Sequence, residues 1–336
     1  MGLLFAGLLT PFTLHLMSQP VVAQSESSAE ESNQRADFWR EVRQGTTGYS
    51  AVTGQETDVL IQNGGENWRS LREGPISVYS AWLMALVVFA AGLLHIVNGR
   101  QKLKNGRSGM TVPRWTLFER VIHWYTAILF LILVLTGLSL LYGRDILIPI
   151  LGKDGFAAYA TVAKFAHNYL GPFFSVGMLL MIIMWFKDNL PSKVDLEWAK
   201  TAGGMWGSGH PPADKANAGE KLMFWQFAAT GLVLIVTGFI LDFPNFGQTR
   251  EVMQWTHIIH VIAAIIAIVT ALGHMYMALF GVEGALEGMI SGRVDTEWAK
   301  QHHDVWYQKL LNKGVKPEPA EDRQPAPARQ TEPRST

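Results

Sequence analysis

The chain has no cysteine among its 336 residues. That excludes a cysteine-ligated iron–sulfur cluster, a disulfide framework and a c-type haem, which needs C-x-x-C-H. Any redox cofactor must be held by histidine or methionine, or without a protein ligand. Charge is scarce too: 17% of residues are charged, and 28 Lys and Arg balance 28 Asp and Glu to a formal net charge of +0. With no basic excess there is no electrostatic footprint for nucleic acid. What the chain has in abundance is apolar sequence, 49% of its residues. It is gathered in blocks of about 20, the length a helix needs to cross hydrocarbon.

The apolar windows fall at residues 76–97, 121–142, 161–186, 222–243 and 257–280. Residues 1–24 begin with an apolar run and end in Val21, Val22 and Ala23. They read as a signal peptide, with an uncleaved anchor as the alternative. Residues 25–75 are polar and form an irregular exported segment, and residues 311–336 form a disordered cytoplasmic tail. The connection after the first window carries Arg100, Lys102, Lys104, Arg107, Arg114 and Arg120, whereas the next outer connections carry Arg144 and Lys153, then Arg250. By the positive-inside rule the N-terminus is periplasmic and the C-terminus cytoplasmic. The fold expected is an all-α membrane protein: a four-helix dihaem bundle in residues 98–310 plus one additional N-terminal transmembrane helix at 76–97.

Four histidines carry the chemistry. His260 and His274 are fourteen residues apart in the last window, about 21 Å along a helix and about 40° apart around it, so they share a face. His123 and His167 lie in the second and third windows. Depth pairs His167 with His260 on the outer side and His123 with His274 on the inner side. Two imidazoles on one iron leave no open coordination site, so such a haem carries electrons. Polar groups in hydrocarbon are costly and mark function. Gly137, Gly171, Gly177, Gly231 and Gly238 would leave room for a flat macrocycle, and Arg120, Lys164 and Lys221 could meet propionates. His257 reads as an interfacial hydrogen bonder, and His95 as a structural residue. His210, His302 and His303 lie in polar segments and read as solvent-exposed.

The second and fourth windows repeat at an offset of 101 residues. Glu119 matches Glu220, Arg120 matches Lys221, Trp124 matches Trp225, and Thr136-Gly137 matches Thr237-Gly238, while His123 is matched by Phe224. An old duplication of a two-helix unit explains this pattern.

Six stretches stand out: Arg120-Val121-Ile122-His123-Trp124, the block from Asn217-Ala218-Gly219-Glu220 to Trp225, Ile258-Ile259-His260, His274-Met275-Tyr276-Met277-Ala278, Gly288-Met289-Ile290-Ser291-Gly292, and Trp298-Ala299-Lys300-Gln301-His302-His303. Together they resemble the cytochrome b (gamma) subunit of membrane-bound respiratory formate dehydrogenase. The resemblance implies an inner-membrane subunit holding two b haems through His123, His167, His260 and His274. An exported molybdenum or tungsten alpha subunit would oxidise formate, and an iron–sulfur beta subunit would pass electrons to this chain. Quinone would be reduced at the cytoplasmic side, around His274, Asn217, Gly219 and Glu220; this last position is usually Gln in the family. No residue of this chain acts on formate. A cytochrome b anchor of a hydrogenase or of another periplasmic molybdoenzyme would use the same four histidines. A haemless anchor or transporter would use them only between helices.

Overall fold

A computed structural model describes residues 63–201 and 211–320, together with Arg40 and Gly203. Five helices in it are long and apolar enough to cross a membrane: Gly65–Asn98, Leu117–Ile146, Ile148–Trp185, Ala218–Asp242 and Arg250–Gly281. Large apolar side chains point outward along them, Leu86, Leu135, Val162, Leu222 and Ile262 among them. In water that pattern would be untenable; in hydrocarbon it is the expected one. The chain is a multi-pass membrane protein whose spans are all helical.

The helices run further than the apolar windows. Helix α1 (Asn63–Leu71) passes through a π turn (Arg72–Ile76) into α2 (Ser77–Asn98). Residues 63–75, expected to be irregular, are therefore helical and continuous with the first span. This segment docks on the end of α3 (Leu117–Ile146): Tyr142 donates to the Ser77 carbonyl at 2.9 Å and its hydroxyl meets Ser80 at 2.7 Å. Arg72 donates to the Leu140 carbonyl at 3.2 Å, and Arg144 pairs with Glu73 at 3.0 Å. Helix α4 (Ile148–Trp185) follows almost at once and breaks at Gly152, whose φ of 71° and ψ of 174° no helix allows. The expected outer connection at 143–160 is thus helix, kink and helix. After α5 (Lys193–Lys200) come α6 (Ala218–Asp242) and α7 (Arg250–Tyr276), which ends in a π turn at Met277–Gly281. Residues 1–24 and most of the exported segment lie outside the described residues, as does His210.

The described chain divides into two compact units. The first holds residues 63–87, 129–175 and 230–269; the second holds residues 88–128, 176–229 and 270–320. The second unit also has a core outside the spans, which hydropathy windows did not anticipate. Strands β1 (Met110–Pro113), β2 (Arg293–Asp295) and β3 (Glu318–Pro319) form an antiparallel sheet in the order β2-β1-β3. Short helices α8 (Glu287–Ser291), α9 (Thr296–His302) and α10 (Asp304–Asn312) complete it. Leu103, Val112, Val294, Trp298, Ala299, Trp306 and Tyr307 pack together there. Asp295 ties the connection to this core, accepting from Glu297 N at 2.8 Å, Ser108 Oγ at 2.9 Å and Gly109 N at 3.2 Å. The tail boundary expected at 311 falls inside α10, and β3 extends order to residue 320; the rest of the tail lies outside the described residues.

His303 is the clearest correction here. Expected on the surface, it is 1% exposed. Its Nδ1–H donates to the Asp214 carbonyl at 2.7 Å, and its ring lies 4.9 Å from that of Trp298. Burial first, and the Arg114 guanidinium second, hold its imidazole well below the ordinary value of 6.5. The unfolded chain binds a proton near pH 6.5 that the folded chain refuses, so stability falls as pH drops through that value. We expect a loss approaching about 1.4 kcal/mol per pH unit and a flatter profile for His303→Gln, whose amide can still donate to Asp214. Thermal unfolding in detergent between pH 8 and 5, followed by tryptophan fluorescence, measures both.

Candidate functional site: two pairs of facing histidines

The first pair is His167 on α4 and His260 on α7, whose ring centroids are 6.3 Å apart with planes at 70°. Each is held by a threonine of a neighbouring helix. Thr136 Oγ1 lies 2.8 Å from His167 Nδ1, and Thr237 Oγ1 lies 2.8 Å from His260 Nδ1. The protonation follows from the donor inventory. Each threonine hydroxyl spends its one proton on a carbonyl a turn back, Ile132 O at 2.9 Å and Val233 O at 2.6 Å. Its oxygen then accepts from Nδ1–H, and in the neutral imidazole this places the lone pair on Nε2. Glycine follows each threonine, and at Gly137 the fit to the ring is tight while at Gly238 it is an ordinary contact. A Cβ on Gly137 would sit 3.3 Å from His167 Cε1, and one on Gly238 would sit 3.6 Å from His260 Cε1. A cavity of about 450 Å³ opens between these helices, lined by both histidines, Gly137, Gly171 and Gly238.

The second pair is His123 on α3 and His274 on α7, with centroids 6.2 Å apart and planes at 61°. His123 also packs on Trp124 and Trp185, at 5.2 and 6.3 Å. Its Nδ1 is buried with no partner among the described residues. In both pairs the spacing has a chemical meaning. Two metal–nitrogen bonds of about 2 Å with half an imidazole on either side put ring centroids about 6 Å apart. Among the described residues no three His, Asp or Glu side chains converge as a metal cluster, so each pair fits a group that brings its other ligands with it, as a porphyrin does. The donor set fits haem.

The duplication is legible in three dimensions. Helix α3 starts with a capping box: Thr116 N donates to Glu119 Oε2 at 2.8 Å and Glu119 N to Thr116 Oγ1 at 3.2 Å. Helix α6 starts with its copy 101 residues on, Asn217 N to Glu220 Oε2 at 2.9 Å and Glu220 N to Asn217 Oδ1 at 2.9 Å. Phe224, which replaces the His123 equivalent, keeps the same edge contact to its own tryptophan, Trp225, at 5.4 Å. Asn217 and Glu220, expected near quinone, therefore have a structural task as well. Gly219 has one too, since a Cβ there would lie 2.8 Å from Trp198.

Other expectations change. Lys221, a candidate for propionate, is buried against Asp195, 2.9 Å from both carboxylate oxygens. Arg120 donates to the Ile290 carbonyl. Lys164 does line the cavity of the first pair. His257, expected to be an interfacial hydrogen bonder, lines that cavity as well and meets Trp68 at 5.4 Å. Thr136 and Thr237 were visible as a repeated Thr-Gly dipeptide, but the repeat did not reveal their contact with histidine.

The sequence matches the profile of prokaryotic cytochrome b561 over residues 114–292, more than half of the chain. The chain belongs to the prokaryotic cytochrome b561 family. It is thus a membrane cytochrome of a haem b family, and the first span lies outside the matched region. Among curated relatives it is 33% identical over 216 residues to the cytochrome b556(Fdn) subunit of the nitrate-inducible formate dehydrogenase of Escherichia coli K12, covering 62% of this chain and 96% of that one. It is 29% identical over 204 residues to the cytochrome b556(fdo) subunit of formate dehydrogenase from the same organism, covering 60% and 93%. It is 30% identical over 201 residues to the formate dehydrogenase cytochrome b556 subunit of Haemophilus influenzae, covering 58% and 82%.

The twin capping boxes yield a direct test. Thr116→Ala and Asn217→Ala should each lower stability by about 1 kcal/mol, and Asn217→Asp should not, because Asp caps as well as Asn. Thermal unfolding of the purified variants at constant haem content reads the difference.

Proposed function

We propose that this chain is the membrane electron-transfer subunit of a formate dehydrogenase, holding two b haems and delivering electrons to quinone. Its partners in this reading are an iron–sulfur beta subunit and a molybdenum or tungsten alpha subunit that oxidises formate. The chain lies in the bacterial inner membrane with its N-terminus periplasmic and its C-terminus cytoplasmic. His167 and His260 ligate the outer haem, and His123 and His274 ligate the inner one. One observation carries the reading: two facing histidine pairs at 6.3 and 6.2 Å, a separation at which each pair would hold one iron between its rings. The names of the relatives supply the formate.

Haem, when bound, supplies a one-electron Fe(III)/Fe(II) couple. The chain supplies the rest. Thr136 and Thr237 lock the outer ligands in one tautomer and orientation, as second-shell partners of metal-bound histidine do. The predominantly apolar helices around both pairs keep the local dielectric low. Quinone reduction consumes protons, and taking them from the cytoplasm while electrons arrive from outside is worth about 2.3 kcal/mol per charge per 100 mV. At the quinone, Asn217, Gly219, Glu220 and His274 are the residues assigned. Asn217 spends its carbonyl oxygen on Glu220 N, so its amide nitrogen is the group proposed to donate to a quinone carbonyl.

Two experiments decide this. Pyridine haemochrome analysis should give two non-covalent b haems per chain, and His167→Ala and His260→Ala should remove the same spectral component, distinct from the one lost in His123→Ala. One haem, or a shared component between His167→Ala and His123→Ala, sinks the assignment. For quinone, Asn217→Asp keeps the cap and removes the amide donor. It should leave stability and haem content unchanged while slowing quinone-dependent haem reoxidation about 3- to 10-fold, the loss of one hydrogen bond.

A further inference from the structure

At the cavity of the first histidine pair three buried polar atoms lack any hydrogen-bond partner among the described residues: Trp68 Nε1, Arg72 Nε and His257 Nδ1. They are neighbours. Arg72 and His257 line the cavity, the Trp68 ring lies 5.4 Å from that of His257, and the Arg72 guanidinium lies 5.9 Å from the Trp68 ring. Buried polar groups in folded proteins are nearly always paired, and a stranded one is costly. Three at one place, two of them obligate N–H donors, mark the position of an absent acceptor.

The charge around them indicates what kind. Arg72 and Lys164 line the cavity against a single acidic lining residue, Asp242. Of the Arg72 side chain, Nη2 is used on the Leu140 carbonyl at 3.2 Å, and Nη1 stands 3.9 Å from Glu73, which is itself bonded to Arg144. The cluster is therefore short of negative charge as well as of acceptors. A carboxylate satisfies both needs, and guanidinium is the side chain best shaped to bind one.

We propose that the N-terminal helical segment of residues 63–76, which lies outside the family match, is a clamp for a propionate of the haem held by His167 and His260. Arg72 binds the carboxylate, Trp68 backs it, and the positive charge of Arg72 raises the reduction potential of that haem. The proposal rests on the ligand assignment made above. Reduction lowers the positive charge on iron by one, so a nearby cation in a low-dielectric site favours the ferrous form. This gives the added first span a function: it brings Arg72 to the outer cofactor.

The test uses the complex purified from membranes, carrying Arg72→Gln or Arg72→Lys, with each haem followed by optical redox titration. Arg72→Gln should lower the potential of the component lost in His167→Ala by at least about 59 mV, a tenfold change in its ferric-to-ferrous ratio. Arg72→Lys should restore most of that shift, and the component lost in His123→Ala should not move. If Arg72→Gln cannot retain the outer haem, Arg72→Lys must retain it. A potential unchanged in Arg72→Gln, a shift shared equally by both components, or a defect that Lys fails to rescue overturns the proposal. A lipid phosphate offers the same acceptor chemistry, so the titrations are repeated after delipidation; a shift that then disappears assigns Arg72 to lipid and rejects the propionate. Should His167→Ala leave both components intact, the ligand assignment fails by itself, whatever Arg72 does.

Discussion

The hydrogen bond from a histidine Nδ1 to a threonine hydroxyl on the adjoining helix is the constraint around which the first unit of this protein is organised. It fixes three things at once. The threonine, on a neighbouring helix, donates its proton to a carbonyl of its own helix, so its oxygen is left to accept. The imidazole that donates Nδ1–H to it keeps, when neutral, its lone pair on Nε2. The residue after Thr136 has little room for a side chain, because a Cβ on Gly137 would crowd the His167 ring at 3.3 Å. In hydrocarbon no water substitutes for any of these partners, so the arrangement is held more tightly than it would be at a soluble surface.

The second pair is built differently. His123 has no threonine at Nδ1; it is wedged between Trp124 and Trp185, and its orientation comes from packing. The duplication accounts for the difference. It supplied each half with a capping box, a tryptophan and a Thr-Gly pair, and both Thr-Gly pairs serve the first histidine pair. The copy of His123 is a phenylalanine, and His274 stands on the last span instead. The two sites are thus not equivalent by descent, and different environments are a physical route to different potentials.

Buried charge outside the spans follows one logic. Arg114 is stacked against Trp115, Trp298 and Trp306 at 5.3, 4.6 and 5.4 Å, with its Nη2 on the Lys215 carbonyl at 3.0 Å. A guanidinium tolerates such a site because aromatic faces and a carbonyl replace its weak hydration shell. An imidazolium beside it would not, which is why His303 stays neutral and serves as a one-proton donor to Asp214.

Hydropathy and period are local properties, so span number, helical class and the matched depths of His123, His167, His260 and His274 could be read from residue order alone; so could the repeat at 101 residues. Everything that depends on which helix faces which was hidden. Thr136 and His167 are 31 residues apart, and Thr237 and His260 are 23 apart; no pattern along one helix pairs them. Arg72 looked like part of a polar leader until helix continuity carried it to the cavity, and His303 looked exposed because its neighbours in sequence are polar. The core outside the spans was missed because its short strands pair across more than 180 residues, Thr111 with Asp295. Side chains find partners across space, and only the folded chain decides which ones are within 3 Å.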